Sequence, residues 1–266
     1  MPLIDGVYAP NGPNLIAPEL FGEVGAETAQ ELRALTIPER LRPDVILVAT
    51  PHWLSPGPFL VHRGERPRQI YDFSGFPQKL SEEKYEPRGD PTLANLLVAR
   101  GQERKLAVTG TTDWGLDHGA WAPLMHLSPD ARVPVVPLSI SSGSPLEHLA
   151  WGAAIGSVLS ETQERVVFVS TGSITHSFSR MRTSAGSRWP QGEKVEKEIV
   201  DLLLQREYEA VANFDPRKWA MVEPEGNLGP LFIMAGAMGK SFQPRLVSTY
   251  QVWGAFGLTT LEFSPP

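Results

Sequence analysis

The chain has 266 residues, 24 basic against 30 acidic side chains and a formal net charge of -6. No basic surplus is left to neutralise nucleic-acid phosphates or an anionic membrane surface. It has no cysteine, so disulfides and thiolate ligands are excluded, and any metal must be held by His, carboxylate, amide or water. A hydrophobic content of 41% with 20% charged residues is that of a soluble globular protein. The length suits one large α/β domain over residues 1–266. The N-terminal Met-Pro-Leu-Ile-Asp-Gly has no basic region or long apolar core, and no stretch nears the ~20 apolar residues that span a bilayer. A cytoplasmic protein without a membrane partner is the expectation.

Residues 3–9 read as a first strand that stops in the turn-forming loop Ala9-Pro10-Asn11-Gly12-Pro13-Asn14. Glu23 to Leu35 has helical spacing, and residues 43–49 then form a strand whose unbroken run of five apolar residues, Val45–Ala49, reads as buried on both faces. Thr50-Pro51 should end that strand, since proline cannot continue a central one, leaving His52 on the turn beyond it. The strand–helix–strand order makes these two strands parallel, so the Asn11 loop and His52 fall at one edge of the sheet. In open α/β sheets that edge is where ligands bind.

Phe59 to His62 reads as a further strand, residues 71–77 as an aromatic-rich loop, and Pro91 to Arg100 as a helix opened by proline. A short strand over Lys105–Val108 leads into a Gly-, Trp- and Asp-rich segment around His118. Val133–Ile140 and Arg165–Ser170 are buried strands, separated by a helix over Pro145–Leu159. The second of them runs into Thr171-Gly172-Ser173-Ile174-Thr175-His176. Val195–Phe214 reads as one amphipathic helix, Leu231–Met238 as an apolar one, and Thr249–Phe263 as one or two late strands. The whole is an α/β fold, a single domain with a central, mostly parallel sheet flanked by helices on both faces.

Six histidines must be sorted. His62 and His148 read as ordinary exposed residues, and His126 as a packed helix histidine. His52, His118 and His176 each lie in a loop bounded by Gly, Pro, Ser or Thr, and two of them directly follow buried strands. We read these three as one shared site. Trp53, Tyr71, Phe73, Trp114 and Trp121 then suggest an aromatic pocket, with Asp117 beside it.

The string Ile70-Tyr71-Asp72-Phe73-Ser74-Gly75-Phe76-Pro77, followed by Gly115-Leu116-Asp117-His118-Gly119-Ala120-Trp121-Ala122-Pro123-Leu124, strongly resembles the class III, LigB-type extradiol ring-cleavage dioxygenases. The DOPA-dioxygenase-like branch is the nearest in pattern. Pro51-His52-Trp53 and Ser173-Ile174-Thr175-His176-Ser177 fit the same family in the same order, over residues 5 to about 240. The resemblance implies insertion of dioxygen into a catechol- or aminophenol-like ring at a non-haem Fe(II), or Zn(II) in some members. It makes His52 a metal ligand, His176 the histidine that moves protons, and His118 a hydrogen-bonding partner of substrate or oxygen. It also implies a homodimer, or pairing with a related subunit.

Two positions depart from the pattern. Asn11 stands where the family has its N-terminal ligand histidine. Near the C-terminal helix, where a His or Glu ligand belongs, the register places Asn227. Glu225, two residues earlier, can substitute, and Glu223 is poorer because Pro224 separates it from the helix. An amide oxygen is a weak ligand for Fe(II), so the metal site is either altered (His52, Glu225, Asn11) or lost. The alternative function is therefore a metal-free, non-catalytic partner of a catalytic subunit. A zinc-dependent hydrolase on the same scaffold is a third.

Overall fold

The computed structural model describes residues 3–72, 77–184, 188–248 and 252–265. Its strands are β1 (Leu3–Ala9), β2 (Val45–Ser55), β3 (Phe59–His62), β4 (Arg68–Gln69), β5 (Val108–Thr111), β6 (Gly115–Leu116), β7 (Val135–Ser141), β8 (Val166–Thr171), β9 (Gln243–Leu246), β10 (Val252–Trp253), β11 (Phe256–Gly257) and β12 (Leu261–Ser264). The helices are α1 (Ala26–Leu35), α2 (Ile37–Leu41), α3 (Pro91–Glu103), α4 (His118–Leu127), α5 (Pro145–Glu161), α6 (Phe178–Ser184), α7 (Pro190–Leu204), α8 (Tyr208–Ala212), α9 (Pro216–Val222) and α10 (Gly229–Met238). Eight strands form one sheet in the order β5-β3-β7-β2-β8-β1-β12-β9. Its centre, β7-β2-β8-β1, is parallel throughout, while β3 runs antiparallel to β7 and β12 antiparallel to both β1 and β9. Among the described residues no helix is long and apolar enough to cross a membrane.

Alternate residues of the central strands feed two cores, as the twofold period of a strand requires. Val45, Leu47 and Ala49 of β2 and Val166 and Phe168 of β8 pack with α3, α5, α7 and α10. Ile46 and Val48 of β2 and Val167 and Val169 of β8 pack on the other face with α1 and α4. The helix α10 is buried for most of its length and lies directly on α5. Glycine makes that approach possible: a Cβ on Gly152 would lie 2.0 Å from the Ile233 carbonyl oxygen, and one on Gly236 would lie 2.2 Å from that of Leu149.

Several expectations are corrected. The strand through Ile46 does not stop at Ala49 but continues to Ser55, so Pro51 and His52 lie within β2. Its ladder with β8 ends at Ala49, and its ladder with β7 is interrupted between Ala49 and Leu54. Proline is tolerated there because the irregular stretch asks no ladder hydrogen bond of it. The strand expected at Lys105–Val108 forms later, at Val108–Thr111. The helix expected over 195–214 is broken into α7 and α8 at Arg206, whose φ is 62°, although Leu203, Tyr208 and Val211 carry the buried spacing across the break. In the tail, 249–251 lie outside the described residues, and the late strands include β9, which the sequence pattern did not suggest.

His62 and His148 are buried, not exposed. The His148 Nδ1 lies 2.8 Å from the Ser144 carbonyl oxygen and its Nε2 accepts the Ser141 amide N–H, so it fastens the start of α5 to the end of β7. His62 Nδ1 accepts the Gly64 N–H at the end of β3. Short polar turns follow both strands, and each imidazole turns inward to satisfy their backbone groups. His126 is packed as expected, with Nε2 2.9 Å from the Leu15 carbonyl oxygen.

Candidate active site

The carboxyl ends of the parallel strands β1, β2 and β8 lie at one edge of the sheet, where Asn11 follows β1, His52 sits in the irregular last part of β2, and Ser173–His176 follow β8. There they enclose a cavity of about 420 Å³. Asn11, His52, His118, Ser173, His176 and Glu225 all line it. The centre of the cluster is the Glu225 carboxylate. Its Oε1 is 3.1 Å from His52 Nε2, 3.4 Å from Asn11 Nδ2 and 3.8 Å from His176 Nε2. Its Oε2 accepts the Ser173 backbone N–H at 3.1 Å.

The loop that aims Glu225 is held in an unusual conformation. Gly226, Asn227 and Leu228 all have positive φ, 54°, 51° and 57°. Asparagine tolerates this region and leucine does not, so the turn stores strain of order 1–3 kcal/mol that the surrounding packing must hold. Asn227, the alternative to Glu225, is thereby turned out of the cavity; it is exposed and its Oδ1 accepts the Trp219 indole N–H. Glu223 is also outside, accepting the hydroxyls of Ser177 and Ser179.

Asp72 sits on the other side of His52. One carboxylate oxygen is 2.8 Å from His52 Nδ1; the other is 2.8 Å from His118 Nδ1 and accepts the His118 backbone N–H. The two imidazoles meet edge to face with centroids 4.2 Å apart. His52 thus offers Nδ1 to one carboxylate and Nε2 to the other. His52, Asp72 and His118 also form, among the described residues, a group whose donor atoms are close enough to share a metal ion.

Burial opposes a charge on His52 and is the largest single influence on it, but the hydrogen bonds of Asp72 and Glu225 together outweigh it and raise its pKa to about 10. Burial likewise works against ionised Glu225, yet His52, His176 and Asn11 hold its carboxyl below the usual range. Asp72, partly buried, is held well below that range by His118 and His52. The His52 imidazolium and the Glu225 and Asp72 carboxylates thus stabilise one another.

Asp117 is fully buried and does not line the cavity. It caps α4 through the Ala120 N–H, accepts the Thr50 hydroxyl at 2.9 Å and accepts the Trp114 indole N–H at 3.0 Å. It ties β2, just before His52, to the helix that begins with His118. The contact is so close that a Cβ on Gly119 would lie 2.4 Å from Thr50 Oγ1. Trp53, Tyr71 and Trp121, expected in the pocket, stand behind its walls instead. Trp53 is buried and stacks on Trp114, Trp121 is buried in the core with its N–H on the Ile70 carbonyl, and Tyr71 donates to the Glu83 carbonyl oxygen. Flat apolar side chains next to tight turns fill core space as readily as pocket wall. Phe73 lies outside the described residues. The aromatic wall comes from Phe21, Phe178 and Phe256, none of which the motifs mark.

A largely parallel sheet that presents convergent histidines and a buried carboxylate in a cavity at its carboxyl edge defines an α/β enzyme with its ligand site at the usual place. Comparison with known proteins gives that class its family. Residues 26–259 match the family described as the catalytic LigB subunit of aromatic ring-opening dioxygenase, and the chain belongs to it. It is 30% identical over 231 residues to the 4,5-DOPA dioxygenase extradiol of Mirabilis jalapa, covering 84% of each chain. It is 36% identical over 152 residues to the protein of the same name from Escherichia coli K12, covering 56% of this chain and 52% of that one. An uncharacterized protein of Escherichia coli K12, JW3007, shares the fold with a TM-score of 0.73 at 22% identity, over 97% of this chain and 99% of that one.

Proposed function

We propose that this LigB-family dioxygenase opens a catechol- or aminophenol-like ring beside its hydroxyl pair, using a non-haem divalent ion, Fe(II) in preference to Zn(II), held by His52, Glu225 and Asn11. The observation that carries the assignment is the Glu225 oxygen directed at His52 Nε2 and the Asn11 amide. These donors fit a 2-His-1-carboxylate face in which an amide has replaced one imidazole. The alternative set of His52, Asp72 and His118 is less suited. Asp72 meets both His52 and His118 at Nδ1, and an imidazole whose Nδ1 is held by a carboxylate is oriented to ligate through Nε2.

An ion held by His52, Glu225 and Asn11 would supply Lewis-acid chemistry for the ring's hydroxyl or amino groups and for dioxygen. The side chains do the rest. Asp72 fixes the His52 ring by its bond to Nδ1 and holds His118 against the cavity, where His118 hydrogen-bonds substrate or oxygen. His176, at the same Glu225 oxygen, takes a proton from the substrate hydroxyl at Nε2 and returns one during ring cleavage, a task an imidazole can perform in both directions.

The test is anaerobic reconstitution with Fe(II), metal analysis and a catechol assay on wild type, Glu225→Gln and Asp72→Asn. Loss of stoichiometric metal in Glu225→Gln, with only about 10–100-fold weaker binding in Asp72→Asn, is the expected result. The reverse ranking would move the ion to the Asp72 side. The substitution at Asn11 favours a second reading, a metal-free partner subunit, which a wild-type protein without iron or turnover would establish.

A further inference from the structure

The cavity is two-ended. Its polar end is the cluster around Glu225 already described. Its other end is built from Phe21, Phe178, Met181, Phe256 and Leu258. Phe178 and Phe256, distant in the chain, meet at His176, whose ring lies 4.7 Å from that of Phe178, edge-on, and 4.9 Å from that of Phe256, tilted. The two phenylalanines are themselves 5.8 Å apart in a T-shaped pair. Phe178 is 50% exposed, so its face is available at the mouth of the cavity rather than consumed in the core. None of the described lining residues is lysine or arginine. The charges beside the cavity include the carboxylates of Glu225 and Asp72 and the His52 imidazole that both of them hold.

These features bear on what hangs from the ring. At about 420 Å³ the cavity falls within the range for drug-sized ligands and is far larger than a bare catechol. With the hydroxyl pair at the polar end, a ring substituent extends along Phe178 and Phe256. An apolar substituent there is removed from water against aromatic carbon, which is favourable in proportion to its area. A carboxylate in the same place would lose hydration against aromatic carbon, with no lysine or arginine among the described lining residues to pair with it. We propose that, within the ring-opening reading on which this rests, the substrate is an uncharged catechol or aminophenol bearing an alkyl or aryl group, and not a ring with a charged side chain.

The experiment measures binding before turnover. Anaerobic calorimetry on the whole protein, metal-free and loaded with Fe(II), would compare 4-methyl-, 4-ethyl- and 4-propylcatechol with 3-(3,4-dihydroxyphenyl)propanoate and DOPA. Affinity should rise about fourfold per added methylene. The carboxylated ligands should bind at least tenfold more weakly than 4-propylcatechol. Phe178→Ala should flatten the alkyl series, and Phe178→Lys, at a half-exposed position that tolerates the change, should invert the ranking toward the carboxylates. Equal or tighter binding of the carboxylated ligands to wild type, an alkyl series without slope, or no catechol binding in either form would overturn the inference. If the alkyl series binds in the expected order but Fe(II) and dioxygen open none of its members, the inference stands and the ring-opening assignment falls.

Discussion

Asp117 offers a direct test of how the site is braced, because the amide of Asp117→Asn cannot copy its three bonds. Whichever way that amide is turned, its N–H₂ meets a donor: the Trp114 indole N–H on one side, or the Ala120 N–H with the Thr50 hydroxyl on the other. One hydrogen bond to a charged acceptor is lost, worth about 1.5–3 kcal/mol. Relief of the carboxylate's burial, which pushes the pKa of Asp117 up, offsets part of this. A net destabilisation of about 2 kcal/mol follows, and for a domain of this size the melting temperature should fall by roughly 4–8 °C. The assay is thermal unfolding of wild type, Asp117→Asn, Trp114→Phe and the double variant. Removing the indole donor removes the clash, so the two substitutions should be coupled by about 1 kcal/mol or more. An unchanged melting temperature, or strictly additive effects, would refute the bracing argument.

Two further outcomes are expected. Asn11→His restores an imidazole beside Glu225 and should tighten Fe(II) binding by about 10–100-fold in a competition titration; unchanged affinity would remove Asn11 from the ligand set. Glu196 is fully buried, accepts the Thr259 hydroxyl, and is pushed up to about 7 chiefly by that burial, with Thr175 and Thr259 opposing. Because its folded pKa is raised, its contribution is fully present below about 4.5 and is lost as pH rises through about 7, an effect of up to about 3 kcal/mol. Glu196→Gln should therefore flatten denaturant stability between pH 5 and 8 relative to wild type, and parallel profiles would show that Glu196 does not titrate there.

The sheet was legible because β2 and β8 are apolar on both faces, a pattern that only a doubly covered strand needs. The histidines at its edge were legible for the same reason: a buried strand followed by a polar turn points a side chain at the crevice. Asp72 was in plain view within its motif, the one acid in an aromatic-rich loop. Nothing local showed that it would lie between two imidazoles, because His52 and His118 are 20 and 46 positions away. Asp117 was placed in the pocket because it precedes His118, although an Asp three residues before a helical N–H is also an N-cap signal. The general exclusion of proline from central strands gave the wrong end for β2, since the bulge that admits Pro51 is a property of β7 and β8 as much as of β2. The aromatic wall was illegible, because Phe21, Phe178 and Phe256 share no spacing and meet only once the hairpin of β10 and β11 is in place.

The separation of Glu225 from its partners sets an order of assembly. Its contacts with His52 and Asn11 span 173 and 214 positions. Contacts of such range form after the local ones, since the chain between them must first be closed. As the chain emerges from synthesis, all three site histidines are made well before residue 225, and until the segment leading into α10 settles on α5, His52 and His176 lack the carboxylate that draws them together. The glycine crossing of α5 and α10 is thus the step that converts a bare sheet edge into a site, and a defect at Gly152 or Gly236 would be felt about Glu225 without touching any residue that lines the cavity.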